Sequence, residues 1–220
     1  MTVGVLQGHA LWSATYDTLP NPLLALELRT AEPWLPPLAS KTVVDVGCGT
    51  GRWARYARER GATAIGVDFC EPMLRAGAAG PLLVKGDALQ LPIPTGAADL
   101  AICAFTAGYL ESPRRLLSEL SRITRRGGLV LVSDVHPAAI AAGWTRSFRH
   151  DGDLCEIENR AHPVEGFLAA ASRRGMALLR LAEPSLGEPE RDIFRQRGRD
   201  DRFAAVSGTR AIFVLLWRRL

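Results

Sequence analysis

The 220-residue sequence predicts an α/β fold, with helices on both faces of a mostly parallel sheet, on three observations. Short Val/Ile-rich runs, of the kind that form strands buried on both faces, recur along the chain. They alternate with helix-compatible stretches. The first run, Thr42-Val43-Val44-Asp45-Val46, breaks into three alternating glycines, Gly47, Gly49 and Gly51. Glycine is needed where a backbone turns sharply and a ligand comes close, so a binding loop is expected at the carboxyl end of that strand.

Taken in order, the first 40 residues show no strand pattern. Residues 11–16 and 23–31 are helix-compatible, and Asn21-Pro22 reads as an N-cap followed by proline in the first turn. Pro33, Pro36 and Pro37 stop a helix from running into the first strand, which leaves residues 1–40 as a helical cover over the mouth of the site. After the glycine loop, residues 52–60 form a helix stopped by Gly61, and residues 62–68 a second buried strand ending in Asp68. Residues 81–85 make the third strand, running into Gly86-Asp87-Ala88, and residues 98–105 the fourth. Residues 138–142 allow one helical turn. Residues 143–153 mix Trp144 and Phe148 with Arg146 and Arg149, and are read as part of an insertion, with a hairpin around Asp151-Gly152, that closes over a substrate pocket. Residues 164–174 form an amphipathic helix ended by Gly175, and residues 176–182 and 211–217 the last two strands. One domain is expected over 1–220, comprising the cover at 1–40, a binding core at 41–135, the insertion at 136–163 and the rest of the sheet at 164–220.

The glycine spacing discriminates between cofactors. Dinucleotide loops read G-x-G-x-x-G, and their last glycine falls where this chain has Arg52. From Asp45 the chain instead reads Asp-x-Gly-x-Gly-x-Gly, which resembles motif I of the class I S-adenosylmethionine (SAM)-dependent methyltransferases, in particular the small bacterial methyltransferase-domain type. The likeness runs from about Tyr16 to His136. Within it, Ser121 to Val132 resembles the family's helix, glycine turn and fifth strand. The chain departs from the pattern at Cys70, where the group often has Ser or Thr, and at Tyr109, where many relatives have His. The resemblance implies a Rossmann-like seven-stranded sheet of order 3-2-1-4-5-7-6 with the last strand antiparallel, and SAM as cofactor with S-adenosylhomocysteine (SAH) as its product.

It also implies roles for residues at the strand ends. Gly47, Gly49 and Gly51 let backbone approach the methionine portion, with Asp45 holding the loop from beneath. Asp68 accepts hydrogen bonds from the ribose hydroxyls. Phe69 and Met73 offer apolar surface to the adenine, which Asp87, Ala88 and Leu89 frame, while Ala104 and Phe105 lie under the sulfonium side. Arg52 either reaches the cofactor carboxylate or stays solvated at the helix start. Trp12 and Tyr16 cap the cofactor, touch the acceptor or, for Trp12, simply pack. Tyr109 belongs with the acceptor site; Trp144, Arg146 and Arg149 suggest an acceptor with a flat apolar body and an anionic group, or else a solvated loop. His136, just past the fifth strand, is the candidate base if the acceptor has a proton to lose; the alternative is a loop histidine bonded to backbone.

Composition excludes several classes. No apolar run reaches the ~18 residues of a membrane span, and residues 1–9 lack the charged start and apolar core of a signal peptide, so a cytoplasmic enzyme is expected. Cys48, Cys70, Cys103 and Cys155 show no C-x-x-C spacing and imply no metal. The net charge is +4, but the cations are almost all arginine, with only Lys41 and Lys85, and no basic stripe with interleaved aromatics appears. No nucleic-acid or membrane partner is expected, and the protein is read as a monomer or homodimer. The function implied is O- or N-methylation of a small-molecule acceptor. Protein or RNA methylation is the alternative, as is a SAM-binding cyclase or regulator that transfers no methyl.

Overall fold

The computed structural model describes residues 1–220 apart from Leu19, Ala78, Ala79 and Arg197. The chain opens with strand β1 (Thr2–Val3) and helix α1 (Val5–Trp12). Helix α2 (Pro22–Ala31) begins as its sequence dictates: the Asn21 side chain accepts from the Leu23 N–H at 2.9 Å, and proline occupies a first-turn position whose N–H has no partner to lose. There follow β2 (Thr42–Val46), α3 (Arg52–Glu59), β3 (Thr63–Asp68), α4 (Glu71–Ala76), β4 (Leu82–Lys85), β5 (Ala98–Ala104), α5 (Pro113–Ile123) and β6 (Thr124–Val135). A short α6 (Pro137–Ala141) leads into the hairpin β7 (Arg146–His150) and β8 (Asp153–Ile157). The chain then runs through α7 (Val164–Ser172), β9 (Met176–Ala182), α8 (Glu188–Gln196), α9 (Asp200–Val206) and β10 (Ile212–Arg219).

Seven strands form the main sheet in the order β4-β3-β2-β5-β6-β10-β9. Counted within that sheet this is 3-2-1-4-5-7-6. β10 runs antiparallel to both of its neighbours, and the remaining pairs are parallel. Alternation of side chains sorts the strands between two cores. Val44, Ala101 and Val130 face the layer of α5 and α7, where Leu116, Leu120 and Phe167 are fully buried. Val43, Leu100 and Leu131 face the layer of α2 and α3, against Leu26, Trp53 and Ala57. Among the described residues, no helix is long and apolar enough to cross a membrane.

The structure departs from the expected elements in several places. The first 40 residues are not free of strand: Thr2 and Val3 pair in parallel with Glu156 and Ile157, giving a second sheet, β1-β8-β7. A two-residue strand has no periodicity of its own and exists only because the hairpin offers it an edge. That hairpin does turn at Asp151 and Gly152, both with positive φ (50° and 89°), the backbone that matches strand twist. α1 lies earlier than residues 11–16, because Gly8, poor in a helix interior, is the one residue small enough to lie against Ile157; a Cβ there would come within 2.6 Å of Ile157 Cγ1. The Gly127-Gly128 turn falls inside β6, which starts at Thr124. α8 and α9, between the last two strands, have no counterpart in the sequence reading.

Candidate cofactor and acceptor site

Strand order in the main sheet reverses between β2 and β5, and beyond their carboxyl ends opens a crevice of about 540 Å³. Its position is the one at which open parallel sheets bind ligands, and its size is that of a small-molecule site. The loop after β2 is folded back on the sheet by its own amides: Gly47 and Cys48 donate to the Val67 carbonyl at 2.7 and 3.1 Å. Gly47 has φ 67°, and a Cβ there would lie 2.1 Å from Thr106 Oγ1, so only glycine fits between β2 and the end of β5.

At the end of β3, Asp68 accepts from the Gly49 N–H at 2.8 Å and from the Cys70 N–H at 2.7 Å. A carboxylate has about four acceptor positions, so both oxygens keep a lone pair for a ligand in the crevice. Asp45 is fully buried under the loop and accepts from the Ala54 N–H at 3.1 Å; burial pushes its carboxyl up to about 7 against the opposing pull of Arg52. At the end of β4, Asp87 accepts from the Leu89 N–H at 2.8 Å. Phe69 stands 58% exposed at the rim.

The crevice gathers Tyr16, Asp45, Gly47, Gly49, Arg52, Asp68, Phe69, Met73, Asp87, Ala88, Ala104 and Phe105 from the expected cofactor residues, and Trp12, Tyr109, Trp144 and Arg146 from the expected acceptor residues. Four expected residues lie elsewhere. Gly51 is the N-cap of α3, with φ 84°, and faces Leu83 and Pro81. Leu89 turns away from the crevice into the core beneath α5. Arg149 donates to the Gly152 carbonyl at the exposed tip of the hairpin. His136 caps α6 through Nδ1, which accepts from the Ala138 N–H at 3.0 Å, while its Nε2 meets Glu183 at 2.7 Å. With both ring nitrogens engaged outside the crevice, His136 is a structural histidine and not the base. Pro137 decides this, because it starts a helix whose free amides need a cap.

Arg52 is partly exposed but not free. It pairs at 2.7 Å with Glu27 of α2, a fully buried carboxylate that also accepts from Trp53 Nε1 at 3.0 Å and Ser133 Oγ at 2.9 Å. Arg146 is likewise committed. It pairs with Asp134, donates to the Phe105 carbonyl at 2.6 Å and lies 4.3 Å from the Tyr109 ring centre. Burial works most strongly against its charge, but Asp134, Tyr109 and Tyr16 together outweigh it and hold the guanidinium above its ordinary value. Each guanidinium is thus charge-paired with a carboxylate, while Arg146 Nε keeps a buried N–H with no hydrogen-bond partner among the described residues. Phe105, at φ 55°, keeps its strained backbone through this carbonyl contact and an N–H bond to Ser133 at 2.9 Å.

Aromatic rings wall the acceptor end. Trp12 stacks on Phe148 at 5.0 Å and meets Tyr16 edge-on at 4.8 Å, and His9 meets Tyr109 edge-on at 4.8 Å. Burial pushes the Tyr16 phenol up to about 12, so it stays protonated at neutral pH. His9, Cys48, Thr50, Thr106 and Asn159 also line the crevice. Cys48 and Thr50 come with the glycine motif, whereas the other three carry no local sequence signal: the second sheet brings His9 and Asn159 to the crevice, and the close packing at Gly47 brings Thr106.

A glycine loop and strand-end carboxylates around a crevice at the switch point define a nucleotide-cofactor-binding α/β protein. Residues 44–132 match the family model of the methyltransferase domain. The malonyl-[acyl-carrier protein] O-methyltransferase of Serratia marcescens is 33% identical over 129 residues, covering 57% of this chain and 48% of that protein. The demethylmenaquinone methyltransferase of Thermus thermophilus is 36% identical over 108 residues, covering 45% and 49%. The chain thus spans about half the length of the curated relatives it matches. A SAM-dependent methyltransferase structure from Mesorhizobium loti superposes with TM-score 0.71 over 90% of this chain and all of that one, at 23% identity, a likeness of fold. With the motif from Asp45 to Gly51, these matches liken residues 44–132 to the methyltransferase domain of SAM-dependent methyltransferases, and the fold is theirs.

Proposed function

We propose that the protein transfers a methyl group from SAM to an oxygen or nitrogen of a small-molecule acceptor. The observation that carries this is Asp68, fixed by two backbone amides at the end of β3 with lone pairs left for a ribose, on a crevice that continues into an aromatic-walled end. The residues present fit the cofactor: the Gly49 position, where a Cβ would come within 3.1 Å of Met73, leaves room for the methionine portion, and Phe69 and Asp87 flank the place of the adenine. When bound, SAM supplies a methyl group already activated by its positive sulfur.

The chain's own contribution is alignment and exclusion of water. Asp68 and the glycine loop hold one reactant, and Trp12, Tyr16 and Tyr109 hold the other against it. Positioning alone can lower such barriers by up to roughly 7–11 kcal/mol in well-oriented systems. The concave, ring-lined acceptor end favours a metabolite over a protein or RNA strand. Incubating the protein with SAM and a metabolite extract, and seeking products heavier by 14 Da alongside SAH, tests the proposal. SAH release only with protein or RNA fractions would favour the macromolecular reading, and SAM binding without any methylated product the non-transferring one.

A further inference from the structure

One imidazole faces the crevice, and it is not His136. His9, on α1, lines the acceptor end. Its Nδ1 lies 2.8 Å from the Val5 carbonyl oxygen one turn back; a carbonyl only accepts, so Nδ1 carries the hydrogen. In the neutral ring this leaves a lone pair on Nε2, which has no hydrogen-bond partner among the described residues and is not fully enclosed. The other three histidines lie outside the crevice: His136 is doubly bonded, His162 Nε2 meets the Leu110 carbonyl at 2.9 Å, and His150 sits beside Asp151 at the hairpin tip.

The surroundings also select the acceptor. The charges of both guanidiniums on the crevice, Arg52 and Arg146, are already balanced by the buried carboxylates of Glu27 and Asp134, so neither brings a net charge to meet a carboxylate acceptor. A neutral amine has a free lone pair and needs no base. A hydroxyl needs its proton removed, and Nε2 is the free lone pair there to receive it.

We propose that His9 Nε2 is the proton acceptor in methyl transfer to the hydroxyl group of an uncharged acceptor bound among Tyr109, Tyr16 and Trp12, an inference that rests on the methyl-transfer reading. In the step, the acceptor O–H bond breaks and its proton goes to Nε2; the oxygen electron pair forms the bond to the methyl carbon, and the C–S pair stays with the departing sulfur. The positive charge so passes from sulfur to the imidazolium, which returns its proton to water. The charged groups facing His9 are Asp68 from the end of β3 and Arg146 from β7. Burial outweighs the Val5 bond and Asp68 and lowers the imidazole below its ordinary value of 6.5, so the ring is neutral at pH 7.

Two measurements test this. Long-range proton–nitrogen NMR of the full chain without ligand, with His9 assigned by its loss in His9→Gln, should show the neutral Nδ1–H tautomer titrating below 6.5. With the metabolite that gains 14 Da in the extract, His9→Gln should lower kcat about 10²–10⁴-fold, the range of a general base, with SAH affinity within about twofold of wild type by the same reasoning. The wild-type kcat/KM should rise with pH to a plateau, with a midpoint below 6.5, and the variant should lose that limb. An Nε2–H tautomer, a ring charged at pH 7 or an undiminished kcat would overturn the role of His9. Absence of any methylated product from the wild type would instead overturn methyl transfer itself.

Discussion

Asp68 does two things at once, and the two can be separated by experiment. Its placement at a strand end is legible in the sequence, but its grip on the Gly49 and Cys70 amides is not, because both bonds depend on how the two loops fold around it. Asp68→Ala should weaken SAH binding by roughly 1.5–3 kcal/mol, about 10- to 150-fold, as expected for a lost charge-assisted bond. It should also lower unfolding stability by roughly 1–3 kcal/mol, since two part-buried amides lose their acceptor. Calorimetric titration and urea unfolding read the two effects; unchanged SAH affinity would remove Asp68 from the site. Asp45 acts the other way. Its folded value, near 7, lies above the ordinary 3.8, so the native state binds the proton more tightly than the unfolded chain and Asp45 favours folding most at the acid end. That contribution declines as pH rises from about 4 to about 7. Asp45→Asn should abolish this slope, so its stability relative to wild type should improve with pH across that window; a wild type whose stability rises as steeply as the variant's would rule out a raised Asp45.

The elements around the site are held by charges that sequence distance conceals. Glu27 joins α2 to α3 through Arg52 and Trp53, and to β6 through Ser133, over separations of 25, 26 and 106 residues. Arg29 and Glu190 similarly dock α8 on α2 with two bonds of 2.9 and 3.0 Å. Glu27→Ala should destabilise by about 2–4 kcal/mol, somewhat less than for a fully buried pair, since it leaves a part-buried cation and two donors unanswered, and should loosen the helices over the cofactor loop; denaturant unfolding measures it, and a loss below about 1 kcal/mol would show the network to be dispensable. The same separation explains which elements could be read in advance. The seven strands of the main sheet each show a local apolar run, and the Asn21-Pro22 start of α2 is a local signal. β1 depends on an edge more than 150 residues away, α1 on a glycine packed against Ile157, and Arg52 on a glutamate in another helix. His136 sits where a catalytic residue could stand, and only the helix that Pro137 begins shows why it does not.

At the scale of the molecule, the crevice is assembled from parts that meet only in the folded chain: the strand ends of the main sheet, α1 with its following turn, and the β7–β8 hairpin. Thr50 of the cofactor loop donates to Asp17 at 3.1 Å, and β1 ties the start of the chain to the hairpin, so loop, cover and hairpin are linked across the site. A ligand filling that crevice binds the native state and finds no counterpart in the unfolded chain. SAH at about 100 times its dissociation constant should therefore add roughly 2.7 kcal/mol of stability, which for a chain of this length raises Tm by about 5–10 °C. NADH should not do so. Arg52 stands where a dinucleotide loop requires glycine for close packing of the helix on the strand, and its side chain is held there by Glu27, with its guanidinium 5.1 Å from the Trp53 ring centre. Thermal unfolding with each ligand measures the difference: a shift with SAH alone supports the cofactor, whereas an equal shift with NADH would mean that the crevice accepts a dinucleotide and that the loop spacing had been misread.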